Sequence, residues 1–422
     1  MNPVMKKHRS WLGWGCLAAL ATTGILGAAS GCADSEASTV FEEDAAIVPP
    51  TPQPDASTTT DVVDAAKTDA TDCDASDEHC NQAVVTCADT DWCPKDSGVE
   101  ALYSLTAIWG SSASDIWAVG SAGTVLHYDG NAWTLDTPFT PSTLRAIAGT
   151  SATNLWAVTT IDGIFHRTLD DAGVPTWQKA PPAITGTLAI TSPLRGAWAS
   201  GNDVVVVGDL VTVRPSGFGK PSSYYQEWQT TSAGSAWVSL PGADTLSMYG
   251  IWGPDLSQLW VVGNSTSRGG VAYRRNLVDG GVYAGDAGDA GLPGWTETDL
   301  QTAQPLAAVW GSGSADVWAV GRFGTIRHFD GTGWQIVESP TTDDLNAVWG
   351  TGPRDVWVAG DYGTILHFDG TSWQPTSTAW PLGQKPHLYG IWGSGANDVW
   401  AVGQGGTLVH FAGKFADAGG AQ

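Results

Sequence analysis

One motif recurs along this chain at intervals of about 39 residues. A chain that repeats at that period folds as adjoining copies of one small unit, none able to bury a core alone. The clearest copies run from Ala308 to Trp334 (AVWGSGSADVWAVGRFGTIRHFDGTGW) and from Ala347 to Trp373 (AVWGTGPRDVWVAGDYGTILHFDGTSW), offset by 39 residues. Another spans Ala107 to Trp133, and a last one begins at Gly390. Weaker copies start at Ala146, Gly196 and Gly250. The anchor after the first apolar pair is Trp109, Ala148, Trp198, Trp252, Trp310, Trp349 and Trp392, which makes seven units.

Turn chemistry divides each unit into four short strands. In the sixth, Leu345 to Trp349 reads as a strand, Gly350 to Arg354 as a turn, and Asp355 to Ala359 as a second strand. Gly360 to Gly363 is the next turn, Thr364 to Phe368 a third strand, and Asp369-Gly370 a tight turn before Trp373 opens a fourth. Val356-Trp357-Val358-Ala359 is apolar on both faces, so both faces must be covered. Radially packed blades meet that requirement. The pattern predicts an all-β chain, a seven-bladed β-propeller of four-stranded antiparallel blades over residues 87–415, with a disordered tail at 416–422. The seventh copy stops at Lys414-Phe415 without its Trp strand, whereas Trp92 precedes the first copy at a suitable distance. An N-terminal strand around Trp92 is therefore expected to close the last blade, beside Trp400. The 23 Trp and 53 Gly, against 15% charged residues, agree with short strands and tight turns.

The pattern W-G-x4-D-[VI]-W-[AV]-V-G-x2-G-T-[IVL]-x-H-[FY]-D-G-x2-W resembles the propeller repeats common in exported lipoproteins of Gram-negative bacteria. It is similar, more distantly, to tectonin-type lectin repeats and to BNR or Asp-box propellers. The resemblance implies a fold and not an activity, because propellers host many unrelated functions.

The first 31 residues read as an address. Lys6, Lys7 and Arg9 form a basic region, and an apolar stretch from Trp11 to Ala29 follows, too short and too wrongly flanked for a membrane span. Ala29-Ser30-Gly31-Cys32 resembles a lipobox, which implies that Cys32 is the lipidated first residue of the mature chain and that the protein sits in the bacterial cell envelope, held to a membrane by its lipid alone. Residues 32–72 are rich in Ala, Asp, Thr and Pro and read as a disordered tether. Cys73, Cys80, Cys87 and Cys93 fill the segment 73–93 leading into the closing strand. In an exported chain such a cluster predicts two disulfides, with three possible pairings, and the spacing does not match a paired-cysteine zinc site. Cys87 and Cys93 are placed to staple the seam. A net charge of −24, more negative once the leader is removed, disfavours nucleic acid as a partner.

The repeat carries residues that look chemical. His127, His166, His328, His367 and His410 recur in the third strand, and Tyr225 and Tyr273 are expected in the same slot of units three and four. Strand spacings of about 4.8 Å hold these side chains too far apart for metal bonds of about 2 Å, so a packing role is expected. Asp115, Asp316, Asp355 and Asp398, with Asn154 and Asp203 at matching positions, are expected to pin a turn and accept a hydrogen bond from His or Trp. Trp117, Trp318, Trp357 and Trp400, and likewise Trp109, Trp310, Trp349 and Trp392, are expected in the contacts between blades.

Function is expected where the repeat is broken. Anchor spacings stretch to 50, 54 and 58 residues across units two to four, and insertions on a rigid scaffold commonly carry recognition. The ligand-binding candidates there are Tyr224, Tyr225 and Trp228, beside Phe218, in unit three, and Arg268, Tyr273, Arg274 and Arg275 in unit four. Arg beside aromatic residues suits sugar faces and carboxylates. Asp170-Asp171-Ala172-Gly173 and Asp286 to Gly291 lack the spacing of a Ca2+ loop, so no cofactor is expected. No G-x-S-x-G, H-E-x-x-H or Walker motif occurs, and Arg145, Arg195 and Arg354 stand near first-strand or turn positions without matching slots. These observations predict a non-catalytic binding module for a glycan or an envelope or extracellular protein. The alternative is a glycan-active enzyme, a hydrolase or lyase, with its site in the insertions of units two to four.

Overall fold

The computed structural model describes residues 85–413, apart from 161–162, 181–192, 211–212, 215–216, 219–221, 232–233, 241–245, 276–294 and 382, with side chains left undescribed over 210–245. The chain divides into two units, Met1–Asp74 and Ala75–Gln422, and the described residues all belong to the second. The leader, Cys32, the tether, Cys73, Cys80, the Asp286 segment and the tail lie outside the described residues.

Among the described residues there are seven four-stranded antiparallel sheets and one two-stranded ribbon, Val213–Arg214 with Gly217–Phe218. The first strands of the seven sheets are Leu105–Ser112, Leu144–Ser151, Leu194–Ser200, Leu246–Trp252, Leu306–Gly313, Leu345–Gly352 and Leu388–Gly395. Each touches the first strand of the next sheet, and the seventh touches the first. Burial explains the arrangement: in Asp355–Gly360 every residue after the first is buried, as the two-faced apolar pattern required.

The seventh sheet takes its fourth strand from the other end of the chain. Trp92–Pro94 pairs antiparallel with Leu408–Phe411, setting Trp92 opposite Phe411, and the sheet includes the Trp400 strand. Trp92 is fully buried against Trp357 and Phe411, with ring centroids 5.4 and 5.7 Å away. Cys87 and Cys93 form a disulfide immediately before and within this strand, which settles one pairing and removes both sulfurs from any zinc site.

Two local features depart from the sequence reading. The first strand of the sixth blade ends at Gly352 and not at Trp349, because a bulge between Gly350 and Gly352 lets pairing with Asp355 resume after the irregularity. In addition, Tyr225 and Tyr273 do not occupy the histidine slot. His328 lies opposite Trp318, and the residues in that register are Arg274, opposite Trp260, and Glu227, opposite Val205. The longer connections in units three and four concealed a register that only the paired strands define.

Candidate functional site

The flanks of the blades contain one repeated hydrogen-bonded cluster. In the sixth blade Asp355 Oδ1 accepts from Trp357 Nε1 at 3.0 Å and lies 2.7 Å from His367 Nε2, while Thr351 donates to Oδ2. The His367 ring stacks on Trp357 at 4.0 Å. The same His contact occurs at His127–Asp115, His328–Asp316, His410–Asp398 and, with an amide in place of the carboxylate, His166–Asn154. Burial pushes the Asp316, Asp355 and Asp398 carboxyls up, but hydrogen bonds from His and from Ser or Thr outweigh it and hold all three below the usual range. Burial alone lowers His166, whose partner Asn154 supplies no charge. The hydroxyl donor in each case sits in the bulge near the end of the first strand. That bulge occurs in blades one, two, five, six and seven and is missing from blades three and four, the two blades without the histidine. Five equivalent clusters packed against neighbouring blades are architecture, as expected.

The inner end of the first strand behaves differently. All seven first strands carry a second irregularity at one residue: Thr106, Arg145, Arg195, Tyr249, Ala307, Asn346 and Tyr389. Each is skipped by the ladder while its neighbours pair, which re-aims its side chain. All seven line one cavity of about 690 Å³. A repeat that keeps Leu before this position and Ala or Gly after it in most copies places seven different chemistries around a single mouth.

Neighbouring groups hold these side chains. Arg195 pairs with the buried Asp209 at 2.8 Å, and its guanidinium lies 4.8 Å from the Tyr249 ring centroid. Asn346 Nδ2 donates to Asp361 Oδ1 at 2.8 Å and to the Leu388 carbonyl at 2.9 Å. Arg145 Nε donates to Thr160 Oγ1 at 2.9 Å, and Arg145 has no carboxylate partner among the described residues. Burial, and then the charge of Arg195, press the Arg145 guanidinium toward its neutral form. Tyr389 is shifted upward by burial and by Asp361, with Arg145 opposing. The mouth therefore presents a cation without a matching anion, flanked by two phenols, in a protein of net charge −24.

The correction to the sequence reading concerns Arg145 and Arg195. They stand in the same slot of blades two and three, whereas Arg354 lies in the turn at the far end of its strand. The slot begins one residue upstream of the copies that start at Ala146 and Gly196, and its variability hid it from a search for recurring residues. Two further side chains escaped that search. Phe323 and Tyr362, at the tips of the turns after the second strands of blades five and six, are 64% and 59% exposed and have φ of 54°. Gly405 takes that position in blade seven, so each aromatic accepts a left-handed backbone at a cost of about 1–2 kcal/mol.

Of the ligand candidates in blade four, Tyr273 and Arg275 are buried. The Tyr273 hydroxyl donates to Glu297, and burial followed by Glu297 pushes its ionisation far above the ordinary value. Arg268 donates to both Glu297 oxygens at 2.6 and 2.7 Å. Arg274 stacks over Trp260 at 5.6 Å, in the place that histidine takes elsewhere. These four are arranged within and along the blade and do not converge on the axial cavity. Tyr224, Tyr225 and Trp228 lie on the third strand of blade three, Ser222–Thr231, with their side chains outside the described residues. Asp170 Oδ1 accepts the amides of Ala172 and Val174 in a local turn.

No family model and no curated protein matches the sequence. Solved structures do. A structure of YCF48 bound to D1 peptide aligns at TM-score 0.52 with 17% identity, covering 79% of this chain and all of that one. YCF48 from Cyanidioschyzon merolae aligns at 0.51 with 19% identity, over 76% and 98% of the two chains. The WD40 β-propeller domain of Doa1 aligns at 0.48 with 9% identity, over 74% and 93%. At these identities the likeness establishes the fold alone, a β-propeller.

Proposed function

We propose that this chain is a non-catalytic, exported lipoprotein whose closed seven-bladed propeller binds a protein segment at the axial mouth. The observation that carries this reading is the convergence of seven bulge residues, Arg145 and Arg195 among them, on one cavity. Three features support a peptide bearing a carboxylate. Arg145 lacks an anionic partner among the described residues, Tyr249 and Tyr389 offer flat amphipathic contact, and the variable ring sits on a rigid scaffold. YCF48, a propeller of similar fold, is found bound to D1 peptide, which adds support for this class of ligand. The lipoprotein address rests on Lys6, Lys7, Arg9 and the Ala29-to-Cys32 motif.

Selection of linear peptides from a display library on the immobilised protein tests the binding reading. Enriched peptides should be acidic and should bind Arg145→Ala at least about tenfold more weakly. Equal binding to a double Arg145→Ala, Arg195→Ala variant would overturn the assignment. Palmitate incorporation lost in Cys32→Ser tests the anchor.

A further inference from the structure

A second cleft, away from the axial ring, has a different chemistry. It holds about 610 Å³ between the turn Asp361–Gly363, the connection entering blade six, and the long connection from blade six to blade seven. Trp349 and Trp392 stand 43 residues apart, and the extra length over the 39-residue repeat carries Trp380. In the equivalent turn of blade five, a Cβ on Gly324 would meet the Thr341 carbonyl at 1.9 Å; on Gly363 it would meet Trp380 Nε1 at 2.8 Å. An indole thus replaces main chain as the cover of the turn and becomes a wall of the cleft. Opposite, the exposed Tyr362 ring is held by its left-handed backbone and by the His387 ring at 4.9 Å.

Between these rings the cleft is furnished with side-chain hydrogen-bonding groups. Asp343 accepts from Thr364 at 2.6 Å and keeps its other oxygen for further donors. Thr378 Oγ1 is buried with no hydrogen-bond partner among the described residues, and Thr376 and Lys385 complete the rim. Pro340 and Pro375 remove main-chain donors, and the edge strand Trp373–Pro375 is only three residues long, so an extended peptide finds little ladder to join. Vicinal hydroxyls, each both donor and acceptor, match the Thr and Asp groups, and the apolar face of a pyranose matches the two rings.

We infer that the Tyr362–Trp380 cleft is a saccharide subsite, distinct from the axial mouth, that takes one pyranose ring. The inference goes beyond peptide binding and does not depend on it. The test is saturation-transfer NMR on the full mature chain with methyl glucopyranoside, methyl galactopyranoside, N-acetylglucosamine and glucuronic acid as probes. At least one should receive saturation at its ring protons. Tyr362→Gly removes the ring while relieving the left-handed backbone, so it should weaken that probe about tenfold without lowering the melting temperature. Trp380→Ala should abolish the signal, and Arg145→Ala should leave it intact. No transfer to any of the four sugars, or a signal undiminished in both Tyr362→Gly and Trp380→Ala, overturns the inference. Loss of the signal in Arg145→Ala overturns it as well, assigning the sugar to the axial mouth.

Discussion

The two ends of the first strand teach opposite lessons. At the outer end of Leu345–Gly352 a bulged Thr351 joins Asp355, His367 and Trp357, and the same chemistry recurs in blade after blade. At the inner end the bulged Asn346 has as its counterparts Thr, Arg, Arg, Tyr, Ala and Tyr. One backbone device thus serves two purposes. Where the residue repeats it holds blades together, and where it varies it furnishes a shared cavity.

Substitutions at the two ends should therefore separate stability from binding. The largest loss is expected for Trp357→Ala, which empties the contact with Trp92 and Phe411; chemical denaturation should show a loss of about 3–5 kcal/mol. Asp355→Ala should cost about 1–3 kcal/mol by removing the acceptor that His367, Trp357 and Thr351 share. Breaking the Cys87–Cys93 bond by Cys93→Ser is expected to cost about 2 kcal/mol, read as a drop in melting temperature without reductant. Arg145→Ala should change stability by less than about 0.5 kcal/mol while weakening an axial peptide, and a large stability loss there would break the comparison.

Acid should act on the outer cluster in a defined direction. The folded carboxyls of Asp316, Asp355 and Asp398 lie below their unfolded value of 3.8. Their contribution is fully present above that value and is lost as pH falls through the lower folded values, so denaturation midpoints should drop below about pH 4. The smallest effect is in blade two. Burial depresses His166, so its contribution weakens as pH falls below its unfolded value of 6.5; Asn154→Asp should raise the imidazole pKa, measurable by NMR titration.

Much of the architecture could be read without coordinates because it is periodic. The Asp, His and Trp positions recur at fixed offsets, so their contacts follow from one another, and the closing role of Trp92 follows from the strand that the seventh copy lacks. The slots of Arg274 and Glu227 could not be read the same way. Blade four has Gln258 where Asp is usual and blade three has Val205 where Trp is usual, so no local pattern marked the register.

The sequence by itself determined the unit, the number of units and the chemistry of their flanks, since hydrophobic period and turn residues are local properties that each copy states again. Only the tertiary structure decided where the unrepeated residues meet. Arg145 and Tyr389 lie far apart in the chain and share no motif, and they line one cavity because a bulge turns each first strand at the same level of the ring. Convergence of this kind depends on strand register and blade order, which no single segment encodes.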